Sequence, residues 1–387
     1  MSGRPVKPLK IRSARRVSRK ADACCAPAAD APPCCGPSVQ AKSPPLDERV
    51  PGFLRWRETA AGRVAEIATS LTFADRAGAW KARWGIGRMT YIVPAGLYVV
   101  GEPDRDAPVV VTANYKMSYD LVRQALAGRD VWLLVLETYG VNVWCAAGKG
   151  TFGTGELVRR IEKTRLAELV AHRRLVLPLL GAAGVRAVEV RERTGFDVRF
   201  ATVRCADLPQ YLDNDMTATA EMRRLTFTTR ERLVLIPVEL VSAAKVMVPV
   251  ALLLGLIGGL SGGWHLATVL LPAVACTGAV IAGTSAVPLL LPWLPTRSFA
   301  VKGAFCGLLW AALLRLAVGG TWSLPGTLLS FLALPAIAAY HGLNFTGSTP
   351  YTSRSGVKKE MRYALPVAAG ALAVGIAGWL AGTVFAG

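Results

Sequence analysis

The sequence is short of charged residues, and acidic residues are especially few. Charged side chains make up 18% of the 387 residues, and 26 Asp and Glu stand against 45 Lys and Arg, which gives a formal net charge of +19. An ordinary soluble domain carries about 25% charge. A chain that is also 52% hydrophobic is therefore neither a single soluble domain nor a disordered chain.

The basic residues are not gathered in one folded domain, as they would be in a nucleic-acid-binding protein. Many lie in the N-terminal tail and at the ends of apolar segments, which predicts a membrane protein and no nucleic-acid partner. Cysteine is also scarce, and eight residues in a chain of this length do not indicate a disulfide scaffold. No apolar run of the length of a signal-peptide core follows the basic N-terminal residues.

Residues 1–50 are basic at first and then rich in Ala and Pro, which predicts a flexible tail. The tail contains two vicinal cysteine pairs, Cys24-Cys25 and Cys34-Cys35. Their thiolates could bind a soft metal ion, or the pairs could be incidental. The basic residues likewise could contact anionic lipid headgroups or act only as a topology signal.

Residues 51–230 alternate short apolar runs with helical patterns, which predicts a mostly parallel sheet covered by helices. Strands are predicted at 90–100, 109–113, 131–136 and 175–180, and helices at 120–126, 156–171 and 208–216. The predicted fold class is an α/β, Rossmann-like domain of ordinary size.

Residues 231–387 contain apolar stretches of about 20 residues, the length that a helix needs to cross a bilayer. Five spans are predicted, at 235–260, 266–291, 299–319, 324–343 and 363–386. Their connections alternate between basic and uncharged, which by the positive-inside rule places the soluble domain in the cytoplasm and the C-terminus outside. This part is therefore predicted to be an all-α, five-helix transmembrane domain of the cytoplasmic (inner) membrane.

Few ionisable residues lie inside these spans. They are Glu239, Lys245 and Arg315, with His341 near the end of the fourth span. Such residues could form an ion or proton pathway. We favour the alternative that they snorkel toward an interface or pair locally, because one or two charges do not make a relay.

The segment GVNVWCAAGKGTFGT, at residues 140–154, follows the predicted strand 131–136 and precedes a predicted helix. Ligands bind at that edge of an open α/β sheet, outside the carboxyl ends of its strands. A Walker phosphate loop is disfavoured, because Val143 stands at the first glycine position and Gly150 at the hydroxyl position. Dinucleotide binding is disfavoured too, since no G-x-G-x-x-G opens a helix after the first strand.

Cys145 in this segment would, on local composition alone, be a small buried hydrophobic residue. Its neighbours favour a different interpretation. Asn142 can cap a short helix and Gly148 can end it in the left-handed conformation, which puts Cys145 in the first turn, where the helix dipole favours a thiolate. Because Ala146, Ala147 and Gly148 add little bulk, these features suit a thiolate offered to a metal in a large planar macrocycle.

The string NVWCAAGKGTFGT, at residues 142–154, resembles the cap-helix signature of the HgcA family, the membrane corrinoid proteins of microbial mercury methylation. The stretches at 111–116, 221–224, 236–239 and 344–351 also resemble this family, as does a soluble domain followed by five spans. The soluble domain is similar as well to the corrinoid-binding domain of the large subunit of the corrinoid iron–sulfur protein. The tail cysteines are not part of the signature.

The resemblance implies that the chain binds cobalamin in its base-off form, with Cys145 as the catalytic residue and the lower axial ligand of cobalt. The residues it implies around the cofactor are Asn142, Val143, Trp144, Ala146, Ala147, Gly148, Lys149, Gly150 and Thr151, with Asn114 and Thr138 as weaker candidates. A D-x-H-x-x-G string, the usual source of a histidine ligand, does not occur in the sequence.

The resemblance further implies methyl transfer to Hg(II), which forms methylmercury. The implied partners are an HgcB-like ferredoxin with iron–sulfur clusters, which reduces the cobalt, and a methyl donor protein or methylated folate system. In this setting the tail cysteines could capture Hg(II). Two rival functions stay open: a membrane-anchored corrinoid methyl carrier of one-carbon (acetyl-CoA pathway) metabolism, and a heavy-metal-binding membrane protein or transporter.

Overall fold

A mixed α/β sheet domain precedes a helical C-terminal region. The structure is a computed structural model that describes residues 43–318, 323–352 and 354–385. The cysteine pairs Cys24-Cys25 and Cys34-Cys35 lie outside the described residues, so their predicted role stays a prediction. The strands are β1 (Phe53–Thr59), β2 (Gly62–Ile67), β3 (Gly96–Val100), β4 (Val109–Ala113), β5 (Val131–Leu136), β6 (Arg174–Leu177) and β7 (Asp197–Phe200).

The sheet formed by the described residues has the strand order β1-β2-β3-β5-β4-β6-β7. The strands β5, β4, β6 and β7 run parallel, and β2 is parallel to β3, whereas β1 pairs with β2 and β3 with β5 in the antiparallel sense. Every residue of β3, β4 and β5 is buried. Burial of both faces explains why these strands are continuous apolar runs in the sequence.

Helices cover both faces of this sheet. They are α1 (Phe73–Arg83), α2 (Lys116–Ala125), α3 (Val143–Lys149), α4 (Thr154–Lys163), α5 (Leu166–Leu169), α6 (Ala187–Thr194) and α7 (Leu208–Asp213). Buried side chains of α3 to α6 belong to one apolar cluster, and those of α2 and α7 belong to the cluster on the other face. The sheet is therefore the middle layer of three.

The chain reverses its direction of winding between β4 and β6. From β4 it crosses α2 to β5 on one side, and from β5 it crosses α3, α4 and α5 to β6 on the other side. In open α/β sheets a ligand crevice forms at such a switch point, outside the carboxyl ends of the strands. The loops after β4, β5 and β6 are therefore the place to look for a site.

The structure contains several elements beyond those predicted: the hairpin β1–β2, helices α1 and α6, and strand β7. The hairpin alternates charged and apolar residues at the edge of the sheet, and Glu66 accepts hydrogen bonds from Arg55 (2.9 Å) and Arg57 (3.1 Å). Its stability thus comes from tertiary and cross-strand contacts. The helix predicted at 156–171 is two helices, α4 and α5, separated by Arg165 with a φ of 50°.

The C-terminal region is helical. Its helices are α8 (Thr229–Gly262), α9 (Leu266–Ile281), α10 (Val287–Leu290), α11 (Phe299–Val318), α12 (Leu324–Asn344) and α13 (Arg354–Phe385). Within the described residues, five helical segments are long and apolar enough to cross a membrane: Thr229–Leu260, Leu266–Leu290, Phe299–Val318, Leu324–Asn344 and Ser355–Gly382. This agrees with the five predicted spans and with a multi-pass membrane protein. The predicted orientation and the domain boundaries at residues 50 and 230 stay predictions.

Candidate functional site

The loop after β5 carries the segment that the sequence singled out. This loop runs from Glu137 to Asn142 and leads directly into α3, at the carboxyl ends of the parallel strands β4 and β5. Two residues of the loop take positive φ angles, Tyr139 (55°) and Gly140 (72°). The turn at Gly140 leaves no room for a side chain, because a Cβ atom there would overlap the Cγ2 atom of Ile92.

Asn114 and Thr138 shape this loop from beneath. Asn114 follows β4, and its Oδ1 accepts hydrogen bonds from the backbone N–H (3.0 Å) and the hydroxyl (2.9 Å) of Thr138 and from the N–H of Gly140 (3.2 Å). Its Nδ2 donates to Glu137 Oε1 at 2.6 Å. Both side chains are fully buried. The two residues therefore position the loop, and their direct contact with a cofactor stays a prediction.

Helix α3 has the predicted N-cap and a different C-terminal end. The side chain of Asn142 accepts a hydrogen bond from the Cys145 N–H at 2.9 Å, as predicted. The predicted end at Gly148 is wrong, because Gly150 is the residue in the left-handed conformation, with φ 81°. The N–H of Thr151 donates to Ala146 O (3.0 Å) and that of Gly150 to Ala147 O (3.2 Å), which is the Schellman arrangement. The helix therefore includes Gly148 and Lys149.

The two faces of α3 differ in burial. Val143, Ala146 and Ala147 are buried in the core cluster beneath the helix. The outward residues are Trp144, Cys145, Gly148 and Lys149, of which Cys145 is partly exposed and the other three are exposed. A Cβ atom on Gly148 would meet no atom within 4 Å. One turn of helix therefore presents a thiol beside an open surface, as the sequence predicted.

The loop after β6 supports α3 from the side, and no sequence prediction covered it. A Cβ atom on Gly184 would lie 2.9 Å from Ala147 Cα and still closer to the carbonyl oxygen of Phe152. The loop is also tied to the start of α4, since Thr154 N–H donates to Gly184 O (3.3 Å) and Arg186 N–H to Thr154 Oγ1 (2.9 Å). In the sequence, the sign of this support is Gly184, close to the switch point, and a single glycine is a weak indicator.

We expect Gly184→Ala to displace α3, because backbone atoms of residues 147 and 152 fill the space of the new methyl group. Overpacking of this kind costs about 1–3 kcal/mol. The measurement is proteolysis of the full chain by a protease that cuts after Lys149. Gly155→Ala is the matched control, because a Cβ there meets nothing within 4 Å. Equal cleavage rates in the two variants would contradict the expectation.

Glu156 and Arg160 of α4 form an ion pair beside the loop. Glu156 of α4 accepts a hydrogen bond from the Glu137 N–H (2.8 Å) and pairs with Arg160 (2.7 Å). Arg160 is 5% exposed and also donates to Ala95 O at 2.9 Å. Elsewhere in the domain, burial raises the pKa of the Cys205 thiol to about 11 and so keeps this thiol protonated at neutral pH.

A cleft of about 460 Å³ opens between α3 and the start of α8. Trp144, the neighbour of Cys145, lines it together with Arg83. The facing side is formed by Leu225, Thr226, Phe227, Arg230, Glu231, Val234, Leu235 and Pro350. The outward face of α3 thus borders the junction between the α/β domain and the apolar helices.

The comparisons with known proteins match the α/β part. Residues 88–207, which include α3, match the family described as CO dehydrogenase/acetyl-CoA synthase delta subunit. The chain is 39% identical over 126 residues to the acetyl-CoA decarbonylase/synthase complex subunit gamma of Methanopyrus kandleri, covering 32% of this chain and 27% of that protein. It is 31% identical over 130 residues to the subunit gamma of Methanocaldococcus jannaschii, covering 33% and 26%.

The subunit gamma of Archaeoglobus fulgidus is 36% identical over 108 residues, which cover 27% of this chain and 23% of that protein. The chain thus spans about a quarter of the length of the curated relatives it matches. The family match ends at residue 207, before the first apolar helix begins. The family match therefore covers the α/β part of this chain that contains Cys145.

Proposed function

We propose that this chain is a membrane-anchored corrinoid protein that carries a methyl group in one-carbon (acetyl-CoA pathway) metabolism. The proposal is supported by the match of residues 88–207 to the family of the CO dehydrogenase/acetyl-CoA synthase delta subunit. It is also supported by the similarity of the chain to gamma subunits of the acetyl-CoA decarbonylase/synthase complex. The single observation that carries it is the position of the partly exposed Cys145 on α3, at the carboxyl ends of the parallel strands. The fold is then a Rossmann-like corrinoid-binding domain joined to five transmembrane helices.

The residues around Cys145 fit a corrinoid. A corrin ring is large and flat, so it needs one ligand atom on a surface where no bulky side chain stands beside it. Gly148 has open space where a side chain would begin, and Ala146 and Ala147 point into the core. The site lies beside the switch point of the sheet, where α/β folds bind cofactors.

Each residue of α3 then has a distinct role. Cys145 would be the axial ligand below the cobalt, Asn142 would hold the helix end that carries it, and Gly148 and Gly150 would leave room for the ring. Trp144, Lys149 and Thr151 would complete the surface beneath it, and Val143, Ala146 and Ala147 would support the helix from the core. A bound corrinoid supplies a cobalt centre that can accept and release a methyl group. A thiolate ligand donates more electron density than imidazole or water. The identity of the axial ligand affects the reactivity of metals held in macrocycles.

Electron paramagnetic resonance of the cobalt(II) form tests this assignment. An axial nitrogen splits the signal through its nuclear spin, whereas an axial sulfur does not. We expect the cobalamin-loaded wild type to show no nitrogen splitting, and Cys145→His to show it, because imidazole also ligates such metals. Nitrogen splitting in the wild type, or a folded protein that takes up no cobalamin and shows no corrinoid absorption, would refute the proposal.

Hg(II) as the methyl acceptor is the second candidate, and the resemblance of residues 142–154 to the HgcA family favours it. Thiolates prefer soft metal ions, so Cys24-Cys25 and Cys34-Cys35 would capture Hg(II) before transfer. This form of the proposal brings with it an HgcB-like ferredoxin as reductant, a methyl donor protein or methylated folate system, and contact with membrane lipids. It also places the α/β domain in the cytoplasm and the C-terminus outside the inner membrane. The comparisons favour the methyl carrier without naming this acceptor.

A further inference from the structure

Helix α1 and the turn after it expose large apolar side chains without a partner in the described part of the chain. Phe73, Trp80, Trp84, Ile86 and Met89 are 77%, 59%, 50%, 62% and 45% exposed. Phe73, Trp80 and Trp84 are spaced by seven and four residues, so they lie on one face of the helix. Neighbouring apolar exposure of this size marks an interaction surface. We call residues 73–90 the α1 segment.

The charge on the α1 segment has one sign at its surface. Its basic residues are Arg76, Lys81, Arg83 and Arg88. Its one acidic residue, Asp75, is turned inward, where it pairs with Lys116 (2.6 Å) and Arg123 (2.8 Å). The surface therefore combines Trp, Ile and Met with Lys and Arg only, which is the composition of segments that lie in a membrane interface.

The α1 segment touches a membrane helix at the depth of a bilayer surface. Gly85 lies beside the side chains of Val238 and Val241 of α8, whose nearest atoms would be 3.9 and 3.8 Å from a Cβ atom there. Helix α8 has 34 residues, about 50 Å, whereas a bilayer core is about 30 Å thick, or some 20 residues. Counting back 20 residues from Leu260, the end of the span, reaches Val241. The contact therefore falls where α8 would enter the hydrocarbon.

Two arginines add positive charge beside this surface. Arg83, which precedes Trp84, and Arg230 both line the cleft. Guanidinium groups form charge-assisted hydrogen bonds with phosphates, so these two residues suit the phosphates of lipid headgroups.

From these observations we infer that the α1 segment is a non-spanning membrane contact that inserts Trp80, Trp84, Ile86 and Met89 among phospholipid headgroups. The inference rests on the five apolar helices crossing a bilayer and is independent of the corrinoid proposal. Because the α1 segment adjoins α8, the bilayer that surrounds α8 also reaches Gly85. We therefore assign the surface to lipid. A second copy of this chain or a soluble partner would instead need its own apolar face at that depth.

The α1 segment also connects the bilayer to the candidate site. Its end packs on the turn before α3, because Ile92 and the carbonyl oxygen of Met89 border Gly140. Its inward face is joined to α2 by Lys116, which bridges Asp75 and Asp120. Lipid contact at Trp84 and Ile86 thus sets the distance and tilt of α3 relative to the membrane surface.

Photo-crosslinking of the full chain tests the inference. One residue at a time is replaced by p-benzoylphenylalanine, at Trp80, Trp84, Ile86, Val188 or Leu253. The protein is then placed in nanodiscs of phosphatidylethanolamine and phosphatidylglycerol. Val188 is the matched control, because it is 70% exposed on α6, and Leu253, 55% exposed on α8, is the membrane reference. Illumination followed by mass spectrometry identifies the adducts.

We expect phospholipid adducts at positions 84 and 86 in a yield close to that at position 253. We expect no phospholipid adduct at the control position 188. Position 80 provides an independent repeat of the same measurement. Lipid adducts at 253 but none at 84, 86 or 80 would overturn the inference. Adducts at 84 or 86 to a second copy of the chain, or to another protein in place of lipid, would overturn it as well.

Discussion

Cys145→Ala is expected to abolish methyl transfer. Loss of a contact that merely supports a metal ligand typically lowers activity by about 10–100-fold, and removal of the ligand itself should exceed that range. The physical reason is the loss of the thiolate that would hold the corrinoid and donate electron density to its metal. The assay follows transfer of a labelled methyl group from loaded protein in nanodiscs, with Hg(II) and a reduced folate offered as separate acceptors.

The control for this variant is Cys205→Ala, which removes a buried thiol on the other face of the sheet and leaves α3 untouched. We expect it to keep most of the wild-type rate. Transfer by Cys145→Ala at the wild-type rate would contradict the ligand role. Wild-type transfer to folate but not to Hg(II) would restrict the function to the methyl carrier, and transfer to Hg(II) would establish the second candidate.

Arg123→Met is expected to destabilise the α/β domain by about 3–5 kcal/mol, the cost of removing one partner from a buried ion pair. Arg123 is fully buried, and its guanidinium donates to Asp75 (2.8 Å), Asp120 (2.9 Å) and the carbonyl oxygens of Ala68 (2.7 Å) and Ser70 (2.8 Å). The variant leaves two buried carboxylates facing one ammonium group, that of Lys116. Thermal unfolding of the full chain in nanodiscs, followed by near-UV circular dichroism, measures the change.

The ionised state of the cluster supports the size of this effect. Burial acts to raise the pKa of Asp75, but hydrogen bonds from Lys116 and Thr72 outweigh it and hold the pKa well below its usual range. Asp75 is therefore charged at neutral pH and needs its partners. The matched control is Arg129→Met, which breaks a partly exposed pair with Asp213 and should cost about 1 kcal/mol or less. Equal losses in the two variants would contradict the expectation.

The central strands were predictable from the sequence because they are buried on both faces. The predicted ranges 109–113 and 131–136 coincide with β4 and β5, since both runs are apolar apart from Thr112. Helix α2 was predicted to begin at residue 120 and begins at Lys116. The charge of Lys116 interrupts the apolar pattern, so the helix start is not evident from the sequence. In the structure Asp75 of α1, 41 residues earlier in the chain, neutralises this charge.

The candidate site was predictable only in part. Asn142 as a cap follows from local chemistry, because its side chain bonds to a backbone group three residues away. The placement of Gly150 rather than Gly148 at the end of α3 depends on which residue can turn left-handed while Phe152 enters the core. Asn114 looked like a ligand contact from its place after a strand, and only the structure shows its amide occupied by Glu137 and Thr138.

Local sequence patterns suffice to predict the five apolar helices, the buried parallel strands and the cysteine-bearing helix, because each depends on hydrophobic runs or on contacts between residues close along the chain. The three-dimensional fold was needed to reveal the order of strands, the support of α3 by Gly184 and the position of the α1 segment against α8. Those features depend on backbone and side-chain atoms that meet across long sequence separations, where a local pattern carries no record of its partner.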